Sequence, residues 1–572
     1  DNTTTTFDDD YNYQSGTKIV YSDIKYAEIG VKIFQSSIMI DNSNISYNKT
    51  AGIDFDDITK SLFSNNTISN NGSGTSLNGF SNDEGDDNGS NDTYKDVLWL
   101  SNTISDNTNN GLVFNRHGTR SYNNTYRNNI IKNNGGYGID LRWGDVTDGV
   151  KNNLIEGNTI YNNTNGIIIG TGPSGMGSGY PTKLSTVQKN LIINNENYGI
   201  STYHTYTNET LKIEKNIIVS TENNKTELVD LRDEKGSIFK YNTLINLSTD
   251  SDQIGKSLFA FNDGYQDEDS KSNTVSYNTF IFKNRNGIET FYGGNTFSNN
   301  NILNRSSDNS SIYSVKILKD ENNNFENNYW GTTTESEIQG LIYDKNDDFE
   351  LGSVDYNPFL TQIDSLAPIS PPQNYSKVKS GNGIILSWSA NLETDVAGYK
   401  LYYGNPTGYS YDTVIDLGNV TTYTLTDGDF STEYAITAYD SVADGTDDQV
   451  EGNESWFSVS KTIDVAISSS SSEFFEPSGS VELTASLSNT HSSDVTVNLE
   501  YSGTATKDTD YSGGETITIP TGSSSKSITI AAIDDSEIEV DETVIIEVSS
   551  VSNATESGEQ KITINLVSDD VP

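Results

Sequence analysis

The sequence predicts an all-β chain: a solenoid of short coiled strands through the first two-thirds, followed by two β-sandwich domains. Three observations lead there. Asparagine followed within two residues by an apolar residue recurs from residue 44 to residue 302. Glycine followed directly by an apolar residue recurs between those phrases. Beyond a Pro-rich stretch at 362–375 the pattern changes to runs in which apolar and polar residues alternate singly, as in strands with one buried face.

The asparagine phrase stands at Asn44-Ile45, Asn66-Thr67-Ile68, Asn102-Thr103-Ile104, Asn129-Ile130-Ile131 and Asn158-Thr159-Ile160. It continues at Asn190-Leu191-Ile192, Asn216-Ile217-Ile218, Asn242-Thr243-Leu244, Asn278-Thr279-Phe280 and Asn301-Ile302. The intervals are roughly 22 to 36 residues, a solenoid range. The glycine phrase stands at Gly52-Ile53, Gly79-Phe80, Gly111-Leu112, Gly138-Ile139, Gly166-Ile167, Gly199-Ile200 and Gly287-Ile288. Short strands that send alternate side chains inward need few apolar residues per coil. The bends between them require a left-handed backbone, which Asn and Gly adopt at least cost. Coils stacked about 4.8 Å apart bring like residues above one another, so Asn amides bond along the stack. Ten phrases predict about ten coils and roughly 50 Å of solenoid.

These repeats resemble the right-handed parallel β-helix family with pectate-lyase-like repeats, over about residues 10–361, and assign a first domain at 1–361. The run Asn327-Asn328-Tyr329-Trp330-Gly331-Thr332, with Leu341–Asp344 and Tyr356–Leu360 after it, is similar to the closing segment of surface β-helix proteins. A solenoid end exposes apolar surface and strand edges, so an aromatic cap there has a structural reason.

Composition narrows the function. The 572 residues carry 35 Lys+Arg against 81 Asp+Glu, a net charge of −46. Such a polyanion repels nucleic acid and anionic membrane surfaces, so neither is expected as a partner. There is no cysteine, which excludes disulfides, Cys-ligated metals and a thiol nucleophile. No apolar window is long enough to span a membrane. The opening DNTTTTFDDD has no basic segment followed by an apolar one, so no signal peptide is visible and a mature or trimmed chain is expected. The first and last residues read as cut from a longer chain.

Longer intervals mark insertions. Residues 81–96 and 262–273 are acidic and read as solvated loops; neither has the spacing of an EF-hand. The Gly-rich stretch 170–181 lacks the Gly-Lys-Ser/Thr of a phosphate loop and reads as a flexible loop. All seven arginines lie in the solenoid. Aligning on the glycine phrase puts Arg116-His117, Arg142-Trp143, Tyr203-His204 and Arg232 at one turn of successive coils, with Asp140, Asp145 and Asp230 nearby. Cations, imidazoles and aromatic rings on one edge make a candidate glycan groove. The Asp-Pro-His phrase of the alginate epimerases is absent, and no catalytic residue is assigned.

After the linker, alternating runs at 384–388, 397–404, 421–425 and 433–440 suit a seven-stranded sandwich. Residues 366–463 resemble a fibronectin type III domain, which implies Trp388 as the core tryptophan and Tyr434 as the corner tyrosine. Six further alternating runs between Val481 and Leu566 predict another sandwich. Gly503-Thr504-Ala505-Thr506-Lys507-Asp508-Thr509-Asp510-Tyr511 and Ile533-Asp534-Asp535-Ser536-Glu537-Ile538-Glu539-Val540-Asp541-Glu542 resemble the two signatures of the Calx-β family, over about 464–572. The resemblance implies a Ca²⁺ site at Glu476, Asp510, Asp534, Asp535, Glu539, Asp569 and Asp570. The last 109 residues hold 20 acids and 3 lysines, a density that a hard divalent cation relieves.

The expectation is an extracellular, secreted or cell-surface structural or adhesive protein, stabilised by calcium and able to self-associate into a filament, sheath or layer. The alternatives are a secreted lyase, hydrolase or epimerase acting on acidic polysaccharide, and a non-catalytic glycan-binding protein.

Overall fold

Asparagine sets the winding of the first part of the chain. In the computed structural model, residues 5–569 are described except 77–92, 115–119, 143–149, 171–183, 204–209, 222–225, 233, 248–255, 263–270, 307–311, 381–382, 405–408, 430–431, 459–463, 488–493, 537, 539, 553 and 557–559. The solenoid strands are mostly two to six residues long and pair in parallel, in register, with the strand one coil on. They build a 13-stranded, an 11-stranded and a 9-stranded sheet, with smaller sheets of three and four strands beside them. The longest sheet has more rungs than the ten phrases predict, because the outer coils keep the strand and lose the phrase.

At the turn between the 13- and 11-stranded sheets, Asn66, Asn102, Asn129, Asn158, Asn190, Asn216, Asn242, Asn278, Asn300 and Asn328 form an unbroken ladder. Each Nδ2 donates to the Oδ1 of the next. These amides are at most 1% exposed. At two places the expected residue is off by one: Ser43 takes the position before Asn44, and Asn300 stacks in place of Asn301. The register explains both, since Asn44 pairs with Thr67 and Asn301 with Thr279, one step into the strand. The left-handed residue is the one before each ladder Asn, including Asn65, Asn128, Lys189 and Tyr241 at φ of 53–56°. A second ladder, Asn48, Asn71, Asn107, Asn134, Asn163 and Asn195, closes the next turn.

Inside, Ile, Val, Leu and Phe from all the solenoid sheets form one continuous core, with Phe63 stacked on Trp99 at 4.2 Å. The glycine phrase marks close approach between coils. A Cβ on Gly138 would lie 2.9 Å from the Gly166 carbonyl and from an Ile160 methyl. Gly138→Ala is therefore expected to lower stability by roughly 1–3 kcal/mol, read by urea denaturation; a loss below about 0.5 kcal/mol would refute the crowding. Gly79-Phe80 lies outside the described residues, and Gly74 holds that column position. Trp330, 1% exposed, closes the far end between Phe325 and Tyr356.

The chain divides into two compact units. One holds residues 1–369 with 392–395 and 442–454; the other holds 370–391, 396–441 and 455–572. In the second, Ser376–Ser380, Gly383–Ser387 and Thr422–Leu425 form one antiparallel sheet, and Thr413–Gly418, Val396–Tyr403 and Tyr434–Asp440 another. Six strands are described where seven are expected. Ser455–Ser458 runs beside the last of them with two backbone bonds, to Ala438 and Ile436, too few for a full ladder. Trp388 is buried against Tyr399, ring centroids 5.4 Å apart. Tyr434 is buried and hydrogen-bonded to the backbone of Asp429, the arrangement of a tyrosine corner. The final sandwich has ten strands in two five-stranded sheets, more than the six expected, because short edge strands such as Glu473–Phe475 and Tyr511–Ser512 are too brief to show as alternating runs.

Candidate functional site

Two places gather chemistry. The first is one end of the final sandwich, where three backbone bonds tie four acidic segments together. Glu476 N donates to Val567 O at 3.1 Å, Ala532 N to Gly479 O at 2.9 Å, and Ile533 N to Asp510 O at 2.9 Å. This brings Glu476, Asp510, Asp534, Asp535 and Asp569 to one end. Glu476 and Asp510 are buried; Asp534, Asp535 and Asp569 are exposed. Burial pushes the Glu476 carboxyl above its ordinary range, and the charges of Asp535 and Asp569 add to this against hydrogen bonds from Ser568 and the Asp569 backbone. Carboxylates are the donor type that a hard divalent cation takes up, so the residue types at this end suit Ca²⁺, although the described side chains do not converge on one point. Asp510 Oδ2 accepts from Thr506 N at 2.6 Å within its own loop. Among the described residues no three acidic or histidine side chains stand close enough to hold a metal. Glu539 and Asp570 lie outside the described residues.

The second place is the outward face of the nine-stranded solenoid sheet. Its register stacks Asp140, Ile168, Ser201, Asp230, Ala260, Glu289 and Lys316 in one column. The tripeptide Asp-Leu-Arg occurs twice in this column, at 140–142 and 230–232. Arg142 donates from Nε and Nη2 to Asp140 at 2.8 and 2.7 Å and lies over the Tyr137 ring at 4.5 Å. Arg232 pairs with Asp230 at 2.6 Å and donates to the Tyr198 hydroxyl at 3.0 Å. Burial pulls the Arg232 guanidinium down, but Asp230 beside it prevails and holds it above its ordinary value. The predicted alignment needs one correction. Arg142 pairs with Gly170, and Gly170 with Tyr203, so a coil without a side chain separates the two. The alignment skipped that coil because its glycine phrase carries no basic or aromatic residue at that turn. Arg116, His117, Trp143, His204 and Asp145 lie outside the described residues, as do 81–92, 171–183 and 263–270 of the insertions.

Three charged residues of this face escaped the sequence reading. Glu227 is pushed up by burial and by the charges of Asp230 and Glu289. Glu289, 8% exposed, is pushed up by burial while accepting from Asn286 Nδ2 at 2.8 Å. Arg285, fully buried, donates from Nη1 to the carbonyls of Thr226 and Ser257, and burial pulls it down to about 10. A signal for Glu289 was available: an acid directly follows the glycine phrase in Gly52-Ile53-Asp54, Gly138-Ile139-Asp140 and Gly287-Ile288-Glu289.

The raised Glu289 carboxyl gives a pH prediction. Its folded value lies above its unfolded one, so its contribution to stability is present below the unfolded value and is lost as pH rises through the folded one. Glu289→Gln keeps the acceptor and removes the charge. The variant is expected to melt higher than wild type at pH 7.5 and level with it at pH 4. An equal difference at both would show that the carboxyl is not carrying the effect.

Residues 11–176 match the family model of the right handed beta helix region, and residues 460–571 match that of the Calx-beta domain. The chain contains a right-handed parallel β-helix, whose coils continue well past the matched residues, and a Calx-beta domain. No curated protein matches the chain. Among solved structures, the apo form of the Calx CBD1 domain is 23% identical, with 19% of this chain and all of that one covered at a TM-score of 0.17. The CBD12 structure from CALX1.2 is also 23% identical, with 19% of this chain covered and a TM-score of 0.17; the chain spans 44% of its length. A mutant tailspike protein of the E. coli bacteriophage HK620 is 12% identical, with 74% of this chain and 71% of that one covered at a TM-score of 0.31. No described helix is long and apolar enough to cross a membrane.

Proposed function

We propose that the chain is an extracellular structural or adhesive protein: a stiff β-helix that contacts glycans on its nine-stranded face, carried with a calcium-hardened C-terminal sandwich. The observation that carries this reading is the gathering of Glu476, Asp535 and Asp569 at one sandwich end, where burial first and the charges of the two aspartates second raise the Glu476 carboxyl, an arrangement that a cation would relieve. The glycan role rests on Arg142 and Arg232, each locked to an aspartate of its own strand and set beside a tyrosine ring. Guanidiniums neutralised in this way orient hydroxyl-rich ligands better than they stabilise a developing anion. A screen of neutral and acidic polysaccharides is expected to show retention without new reducing ends or double bonds. Absence of retention throughout would overturn the glycan role.

One observation favours a second reading, in which the same face cleaves polysaccharide. Glu227 and Glu289 are both held above the ordinary carboxylate range, as a general acid requires. Product formation that disappears in Glu227→Gln and Glu289→Gln would select it.

A further inference from the structure

We infer that Asp140 and Asp230 set the ligand class of the nine-stranded face. By occupying the paired donors of Arg142 and Arg232 they exclude sugars that carry carboxylate or sulfate, so the glycan taken there is uncharged. This rests on the glycan reading above and narrows it.

A guanidinium grips an acidic group through two parallel N–H donors aimed at its oxygens. On this face both such forks are filled from within the strand. Arg142 gives Nε and Nη2 to the two oxygens of Asp140, at 2.8 and 2.7 Å. Arg232 gives Nε and Nη2 to Asp230 Oδ2, at 2.7 and 2.6 Å, while Oδ1 accepts from Asn262 Nδ2 at 2.9 Å. The aspartates are 1% and 0% exposed, so a ligand reaches neither. The arginine side chains, 22% and 33% exposed, are what the surface presents. A ring lies against each of them, Tyr137 at 4.5 Å from Arg142 and Tyr198 at 5.8 Å from Arg232. The Tyr198 hydroxyl accepts a further bond from Arg232 Nη2. The outer N–H groups that remain act singly, which suits a hydroxyl, a ring oxygen or an acetamido carbonyl. Arg285 is fully buried and bonded to backbone carbonyls.

The coil does not require these aspartates. Their column holds Ile168, Ser201 and Ala260 in neighbouring coils, where the residue two further on is Gly170, Tyr203 or Asn262. Within the strands from Tyr137–Arg142 to Ser257–Asn262, aspartate stands in the column only where arginine follows two residues later. Burying a carboxylate carries a desolvation cost that its ion pair does little more than offset. The acid is therefore placed for the arginine, which it holds beside its ring and closes to other anions. The net charge of −46 repels every anion at a distance, and one substitution barely alters it; the two locks can be opened singly.

The test is affinity electrophoresis of the full chain through hyaluronan, xanthan and polygalacturonate, each beside its carboxyl-reduced neutral form. EGTA is present, so that calcium cannot bridge the protein to a uronate. Wild type is expected to be retained by at least one neutral form, and at least tenfold more weakly by its acidic parent. Asp140→Ala and Asp230→Ala introduce the residue that the column already carries at 260, and each opens one fork. A charge-assisted pair of bonds is worth about tenfold or more, so each variant should shift the acid-to-neutral affinity ratio at least tenfold towards the acid. The two positions lie three rungs apart, so if circular dichroism shows one variant unfolded the other decides. Wild type held as firmly by an acidic parent as by its neutral form would overturn the inference and leave the glycan reading standing, as would folded variants with an unchanged ratio. Retention by neither form of any pair would overturn both.

Discussion

Asn158→Ala is expected to cost the solenoid roughly 3–5 kcal/mol. Asn158 Oδ1 accepts from both the backbone N and the Nδ2 of Asn129, and its Nδ2 donates to Tyr126 O and to Asn190 Oδ1 at 2.8–2.9 Å. All of these groups are buried. Alanine leaves the Asn129 amide without its acceptor and breaks the ladder in both directions. A buried donor or acceptor left unpaired costs about 1–3 kcal/mol, and two or more are stranded here. Because each coil rests on its neighbours, the loss propagates along the stack. Urea denaturation followed by tryptophan fluorescence reports it, since Trp99 is buried in the same core. The control is Asn133→Ala, an exposed left-handed residue at φ 54°, expected to cost about 1 kcal/mol. Equal losses at the two positions would show that the turn conformation, and not the ladder, provides the stability.

Chelating calcium is expected to lower the melting transition of the C-terminal sandwich by roughly 10–20 °C. A cation held at about a hundredth of its free concentration adds about 2.7 kcal/mol, and each kcal/mol moves a domain of this size by roughly 4–8 °C. The carboxylates that meet at this end have no lysine or arginine among the charges that set Glu476, so without a cation their repulsion stands. Asp535→Asn should remove part of the calcium effect and raise the EGTA-treated melting point, because it lowers that repulsion. An unchanged transition in EGTA, or an Asp535→Asn variant that melts lower than wild type in EGTA, would count against the site.

The candidate sites were legible to different depths. Calcium-directed residues announced themselves through two long acidic motifs, but which carboxyls gather depends on loop crossings, set by the backbone bonds of Glu476 to Val567, Ala532 to Gly479 and Ile533 to Asp510. On the solenoid face, Asp140 and Asp230 were noted as neighbours of basic residues, whereas Glu227 and Glu289 were not. Glu289 carried one sequence signal, the acid after the glycine phrase, but its charged surroundings come from the register, which sets it two rungs from Asp230, across Ala260.

By itself the sequence determined the coil. Asparagine and glycine recur where the backbone must bend left-handed or pass close to the next coil, and apolar pairs recur where a short strand must face inward, so local preference and periodicity agree. It also determined the alternation of the two sandwiches, because a period of two leaves one face to bury. Only the tertiary structure decided which asparagine of each phrase stacks, that a second ladder exists, and which acids face one another. Those are questions of register between coils about 4.8 Å apart, and a shift of one residue, invisible in a repeat of unequal intervals, moves a side chain from core to surface.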